Sequence, residues 1–205
     1  CPREKTYFIV AVIFALILWG VIVFTVFGAL IGLLIGLFSW LGNGLLVAHL
    51  RSSCIKVDER QLPELHRTVQ EVCSRLGTAA PEVYVLQSEG FLNAFAMRHC
   101  GRDFVVLYSS LAEGFDHRGD EVRFYLGHEV GHLKSKHILK QIFLFPVLWL
   151  PLLGPAYDRA CEASCDRYGA FCADTIDGAV RGLVVLAGGK ALAGKVDAAV
   201  FAGQA

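Results

Sequence analysis

The sequence has no excess of either charge: 19 Lys and Arg stand against 19 Asp and Glu, for a formal net charge of +0. That balance gives no electrostatic preference for nucleic acid or for acidic substrates. Charge is also missing locally. Between Thr6 and Ala48 there is no Asp, Glu, Lys or Arg, a stretch long enough for two bilayer crossings of about 20 residues each. No internal repeat, low-complexity tract or Gly/Ser linker divides the chain. The seven cysteines, Cys1, Cys54, Cys73, Cys100, Cys161, Cys165 and Cys172, are odd in number and include no CxxC pair. That argues against both a disulfide framework and a structural zinc site, and free thiols suit a reducing cytoplasm.

What is present is mostly apolar, with 55% hydrophobic residues and a mean hydropathy of +0.51. Arg3 and Lys5 precede the uncharged stretch, and Arg51, Lys56 and Arg60 follow it. Basic residues on both flanks fit a helical hairpin turning near Phe27-Gly28-Ala29, with both ends in the cytoplasm. One long tilted helix ending near Trp40 is the alternative, and it would reverse the side of everything that follows. A cleavable signal fits poorly, because its apolar core is only about 7–15 residues. Gly28, Gly32 and Gly36, at intervals of four, either bring two helices close or are ordinary membrane-helix glycines. Residues 1–50 therefore read as a membrane anchor and 51–205 as one domain. Within that domain the apolar segment 142–155 carries Pro146, Pro151 and Pro155. It is shorter than a span and reads as a membrane-associated hairpin, or else as a buried loop.

The chemistry is concentrated at His128-Glu129-Val130-Gly131-His132, an HExxH pattern. Asp120 and Glu121 suit a helix N-terminus, and Val122, Tyr125, Leu126, Val130 and Leu133 recur at helical spacing. At about 100° per residue, His132 lies about 40° round that helix from His128. Two imidazoles on one face suit zinc, and the carboxylate flanking them is placed to take a proton from water there. The plain alternative is a pair of histidines capping a helix or pairing with acids. A third ligand must come from elsewhere. By the same reckoning His137 lies about 180° from His128, so it is expected to face away, at the surface or in a second layer. Downstream, Glu162 and Asp166 sit one turn apart on a second expected helix. One would ligate zinc and the other accept a hydrogen bond from a ligand imidazole, unless they form a solvated acidic face paired with Arg159 and Arg167. Cys161 and Cys165 read as small buried residues, with a thiolate ligand as the alternative.

The remainder reads as α+β. Leu65, Val69, Val72 and Leu76 give an amphipathic helix from Pro63 to Leu76, with Gly77 suited to its end. Glu82–Leu86 and Phe104–Tyr108 read as strands, and Asn93–Met97 as a short edge strand to which a peptide could add itself. A further helix is expected from Ala179 to Ala187.

The pattern Asn93-Ala94-Phe95-Ala96, then HExxH, then a short apolar stretch, then Glu162-x-x-x-Asp166-Arg167 resembles the HtpX and CAAX prenyl protease family of membrane-embedded zinc metallopeptidases. The likeness runs from about Leu62 to Ala170. It implies a zincin-like metalloprotease domain behind the hairpin, with one Zn2+ per chain held by His128, His132 and Glu162 and with Glu129 as general base. It further implies that Asp166 and Arg159 support the site and that Asn93, Ala94, Phe95 and Ala96 border the substrate cleft. The expected partners are protein or peptide substrates and the lipid bilayer, with no nucleic acid. The expected location is the cell inner membrane with the catalytic domain facing the cytoplasm, in membrane protein quality control. A specific processing protease of the CAAX type and an inactive membrane scaffold are the alternatives.

Overall fold

A computed structural model describes residues 2–87, 94–109, 119–188, 195–197 and 200. The uncharged stretch forms two helices, α1 (Pro2–Phe24) and α2 (Val26–Ser53), which meet at a bend on Thr25. There the Thr25 hydroxyl and amide both donate to the Ile22 carbonyl, at 3.0 and 3.1 Å. Gly28 closes the corner, because a Cβ there would stand 2.8 Å from the Ile22 carbonyl oxygen. The turn thus falls a few residues before the expected one. A Cβ at Gly32 or Gly36 would meet nothing within 4 Å, so those two glycines make no close helix contact among the described residues. Both helices are long and apolar enough to cross a membrane, and only 11% and 6% of their apolar windows are buried. Most of their described side chains are exposed, unlike those of a soluble core helix.

The domain that follows has a four-stranded sheet of β1 (Ile55–Lys56), β2 (Glu82–Leu86), β3 (Ala94–His99) and β4 (Arg102–Tyr108), in the spatial order β1-β2-β4-β3. β2 and β4 run parallel, with α3 (Pro63–Leu76) leading into β2; β3 and β4 form an antiparallel hairpin with His99 opposite Arg102. Its turn residues, Cys100 and Gly101, both have positive φ, at 48° and 78°, as a two-residue hairpin loop of the primed kind requires. β3 is therefore an edge strand. α3 begins with Pro63 and ends at Gly77, whose φ of 62° provides the left-handed cap that a residue with a Cβ resists.

Four helices complete the described fold: α4 (Gly119–Lys134), α5 (His137–Leu148), α6 (Leu153–Cys172) and α7 (Ile176–Gly188). The main core joins α3, the sheet and α4 through Val69, Val72, Val105, Leu107, Phe124 and Leu126. Each such side chain contributes on the order of 1.5–3 kcal/mol by leaving water. A second cluster seats α1 on α5 and α6: Ala11 and Ala15 are fully buried against Leu144, Val147 and Tyr157. The indole of Trp19 donates to the Phe143 carbonyl at 2.9 Å. A third seats the end of α2 on the sheet, with Leu50 against Phe104 and Val106. The head of α1 and the tail of α2 thus abut the same domain.

The apolar segment 142–155 comprises the end of α5, a turn and the start of α6. Leu144 and Val147 are buried on α1, whereas Ile142, Trp149 and Leu152 are 65%, 77% and 85% exposed. It is therefore a helix–turn–helix corner with one covered and one bare apolar face.

Candidate metal centre

The site lies where α4 and α6 press together, and glycine sets how closely they do so. A Cβ on Gly127 would stand 2.9 Å from the Tyr168 carbonyl oxygen, and one on Gly169 would stand 2.7 Å from that of Phe124. Because both positions lack one, His128 and His132 on α4 reach Glu162 on α6. His128 Nε2 lies 3.2 Å from His132 Nε2 and 3.3 Å from a Glu162 oxygen; His132 Nε2 lies 3.6 Å from the other oxygen. Bonds of about 2.0–2.1 Å in a tetrahedral site place neighbouring ligand atoms about 3.3 Å apart. The triangle therefore has the size zinc needs, and its N, N, O donors are of the type zinc takes.

The surroundings assign a task to each nitrogen. His128 Nδ1 lies 3.0 Å from an Asp166 oxygen; with the proton on Nδ1, its Nε2 is free to ligate. Burial alone would lower the His128 pKa, but Asp166 and Glu162 outweigh it and push the metal-free imidazole up to about 9. Burial takes His132 the other way, to about 4. The hydrogen bond from His128 holds the Glu162 carboxyl below its ordinary value. Glu129 is buried beside the triangle, and burial raises its carboxyl to about 7, against the opposing pull of His128 and of the Ala96 backbone amide that donates to it.

His137 does not face away from the pair or lie at the surface; it takes the second-layer place that was the other expectation. α4 does not continue to it: the chain turns at Ser135 and Lys136, Lys136 takes a left-handed φ of 55°, and His137 begins α5. The 180° reckoning assumed one unbroken helix. His137 is instead fully buried, with its Nδ1 3.2 Å from His132 Nδ1 and its Nε2 2.9 Å from Glu4 Oε1. Burial lowers its pKa. Neither Glu4 nor this contact belongs to a motif in the sequence. The available signal was Glu4 itself, a lone acid at the head of an uncharged stretch.

Of the residues expected at the cleft, Ala94, Phe95 and Ala96 lie on the edge strand β3, and Asn93 falls outside the described residues. Among the described residues Arg159 makes no bond to the triangle; it lines a cavity on the adjoining face of α6 with Arg3, Tyr7 and Arg167. Cys161 and Cys165 are buried and unpaired, and burial raises both thiols. Among the described residues two other groups come within metal-binding range, His132–His137–Cys165 and Glu4–His137–Cys161.

Residues 59–156 match the model of Peptidase family M48. A plastoglobule-localized metallopeptidase 48 from Arabidopsis thaliana is 29% identical over 168 residues, covering 74% of this chain and 48% of that protein. A protease HtpX homolog from Thermococcus kodakarensis is 35% identical over 85 residues, or 40% of this chain and 28% of that protein. A CAAX prenyl protease 1 homolog from Dictyostelium discoideum is 32% identical over 95 residues, or 44% and 22%. The chain thus resembles peptidases of the M48 class, and among them proteins of the HtpX and CAAX prenyl protease kind. It spans half or less of the length of these relatives.

Proposed function

We propose that this chain is a membrane-bound zinc metalloendopeptidase with a zincin-like catalytic domain. The observation that carries the reading is the triangle of His128, His132 and Glu162, of tetrahedral-zinc dimensions, with a buried carboxylate at its side. One zinc held there would supply a Lewis acid that polarises the scissile carbonyl and acidifies water. Asp166 fixes the tautomer of His128 so that Nε2 faces the metal. Glu129, buried beside the triangle, takes a proton from water and passes it to the leaving amine. The edge strand bearing Ala94, Phe95 and Ala96, with Asn93 ahead of it, receives an extended peptide by strand addition and brings its carbonyl past Glu129. Arg159 supports α6 beside the third ligand.

The substrates are proteins or peptides at the bilayer. α1 and α2 cross it as a hairpin with Lys5 and Arg51 on the cytoplasmic side, in keeping with basic flanks and free thiols. Turnover of damaged membrane proteins in the cell inner membrane is the role that fits; processing of lipid-bearing substrates of the CAAX type is the second. The test of the chemistry is Glu129→Gln in the purified chain. Zinc content should stay at one per chain while casein hydrolysis is lost, because an amide keeps the shape but accepts no proton. A fully active Gln variant would end the proposal.

A further inference from the structure

We infer that Glu4 and His137 form a buried positioning pair for His132, so that the first membrane helix helps to hold the metal; this rests on the zinc reading above. The two residues lie 133 positions apart. His137 has no exposed surface and Glu4 is 7% exposed. Groups so buried are costly unless bonded, and here they are bonded to each other. Glu4 also lies against the Ser164 hydroxyl, and the Lys140 ammonium is 3.5 Å away.

The proton positions follow from the order of the atoms. If His132 ligates through Nε2, which faces His128 and Glu162, its proton must sit on Nδ1. That N–H points at His137 Nδ1, 3.2 Å away, which must then accept. His137 therefore carries its own proton on Nε2 and donates it to Glu4 Oε1 at 2.9 Å. Cys165 Sγ, 3.5 Å from the same His137 Nδ1, is the other neighbour and a weaker donor. The two zinc imidazoles are thus oriented in parallel ways. For His128 the carboxylate is Asp166 and acts directly; for His132 it is Glu4 and acts through an intervening imidazole. Such outer carboxylates fix ring orientation and raise ligand basicity.

A second metal ion at Glu4, His137 and Cys161 fits less well. Lys140 already supplies positive charge to that carboxylate, and both nitrogens of His137 face partners.

The experiment uses the full chain in detergent and compares wild type with His137→Phe, His137→Asn and Glu4→Ala. Zinc affinity is read by chelator competition, and ligand geometry by the visible absorption of the cobalt-substituted protein. Phe fills the space but accepts no hydrogen bond, so affinity should fall about 10–100-fold and the cobalt bands should shift. Asn fills the space less well, yet its Oδ1 can accept where Nδ1 did. It should recover most of the loss. A residue there only for packing would give the opposite order. Glu4→Ala should fall between the two, and it decides the matter by the same readouts if His137→Phe does not fold. Affinity and spectrum unchanged in both His137→Phe and Glu4→Ala, or Asn as poor as Phe, would overturn the inference. A wild-type chain that binds neither metal would instead overturn the zinc reading beneath it.

Discussion

Glycine does opposite things in the two halves of this molecule. In the pair α4 and α6, Gly127 and Gly169 lie where any Cβ would strike a neighbouring backbone carbonyl, and their absence of side chain lets His128 and His132 on one helix meet Glu162 on the other. In α2, Gly32 and Gly36 face open space, among side chains such as Leu33 and Phe38 that are about 70% exposed. Composition alone does not separate these uses. What separates them is the partner: a second protein helix in one region, and in the other a surface suited to lipid. The contrast also explains why the half that bears the HExxH site is specified by a few spacings, whereas the apolar helices need only length and apolarity.

The comparison can be broken most severely at the site. Glu162→Ala should lose zinc beyond the about 10–100-fold range expected of Asp166→Ala, since one removes a ligand and the other only the acceptor behind His128; metal analysis after dialysis ranks them. Equal retention would mean that the two acids have the wrong roles.

A smaller effect is read from pH. Asp166 and Glu162 push the His128 imidazole up to about 9 against burial, and zinc requires it neutral, so below that value each bound zinc must displace its proton. Apparent affinity should therefore rise about tenfold per pH unit between pH 7 and 9, and calorimetry in buffers of different ionisation enthalpy should report close to one proton released from this ring. No proton release at pH 7 would contradict that assignment. The smallest effects test the glycines themselves. Gly169→Ala should cost about 1–3 kcal/mol by overpacking, whereas Gly32→Ala should stay within about 0.5 kcal/mol, both by denaturation of the detergent-solubilised chain. Similar losses at the two positions would show that α2 has a close packing partner too.

The sequence made local elements plain where local chemistry determines them. α3 runs from Pro63 to Leu76 as its apolar spacing and flanking Pro and Gly require, and β2 occupies Glu82–Leu86 as its β-formers suggest. The two membrane helices follow from missing charge, which any reader can count. His128, His132, Glu162 and Asp166 were legible because i, i+4 spacing fixes which residues share a helix face, and the fold brings the two faces together. The break after Lys134 was not legible. It depends on Lys136 adopting a left-handed conformation, which no residue type there demands and which tertiary packing of α5 on α1 stabilises. That break carries His137 back to His132, so a contact hidden by one backbone angle went unread, and Glu4 with it. Pairings between α1 and the ends of distant helices have no sequence signal of their own.

The central claim is that one zinc is held by two imidazoles and one carboxylate, and X-ray absorption at the zinc edge of the purified chain tests it most directly. The account predicts one zinc per chain with nitrogen and oxygen neighbours at about 2.0–2.2 Å and no sulfur. A sulfur shell near 2.3 Å would place the metal with Cys165 or Cys161 beside His137, and would contradict it.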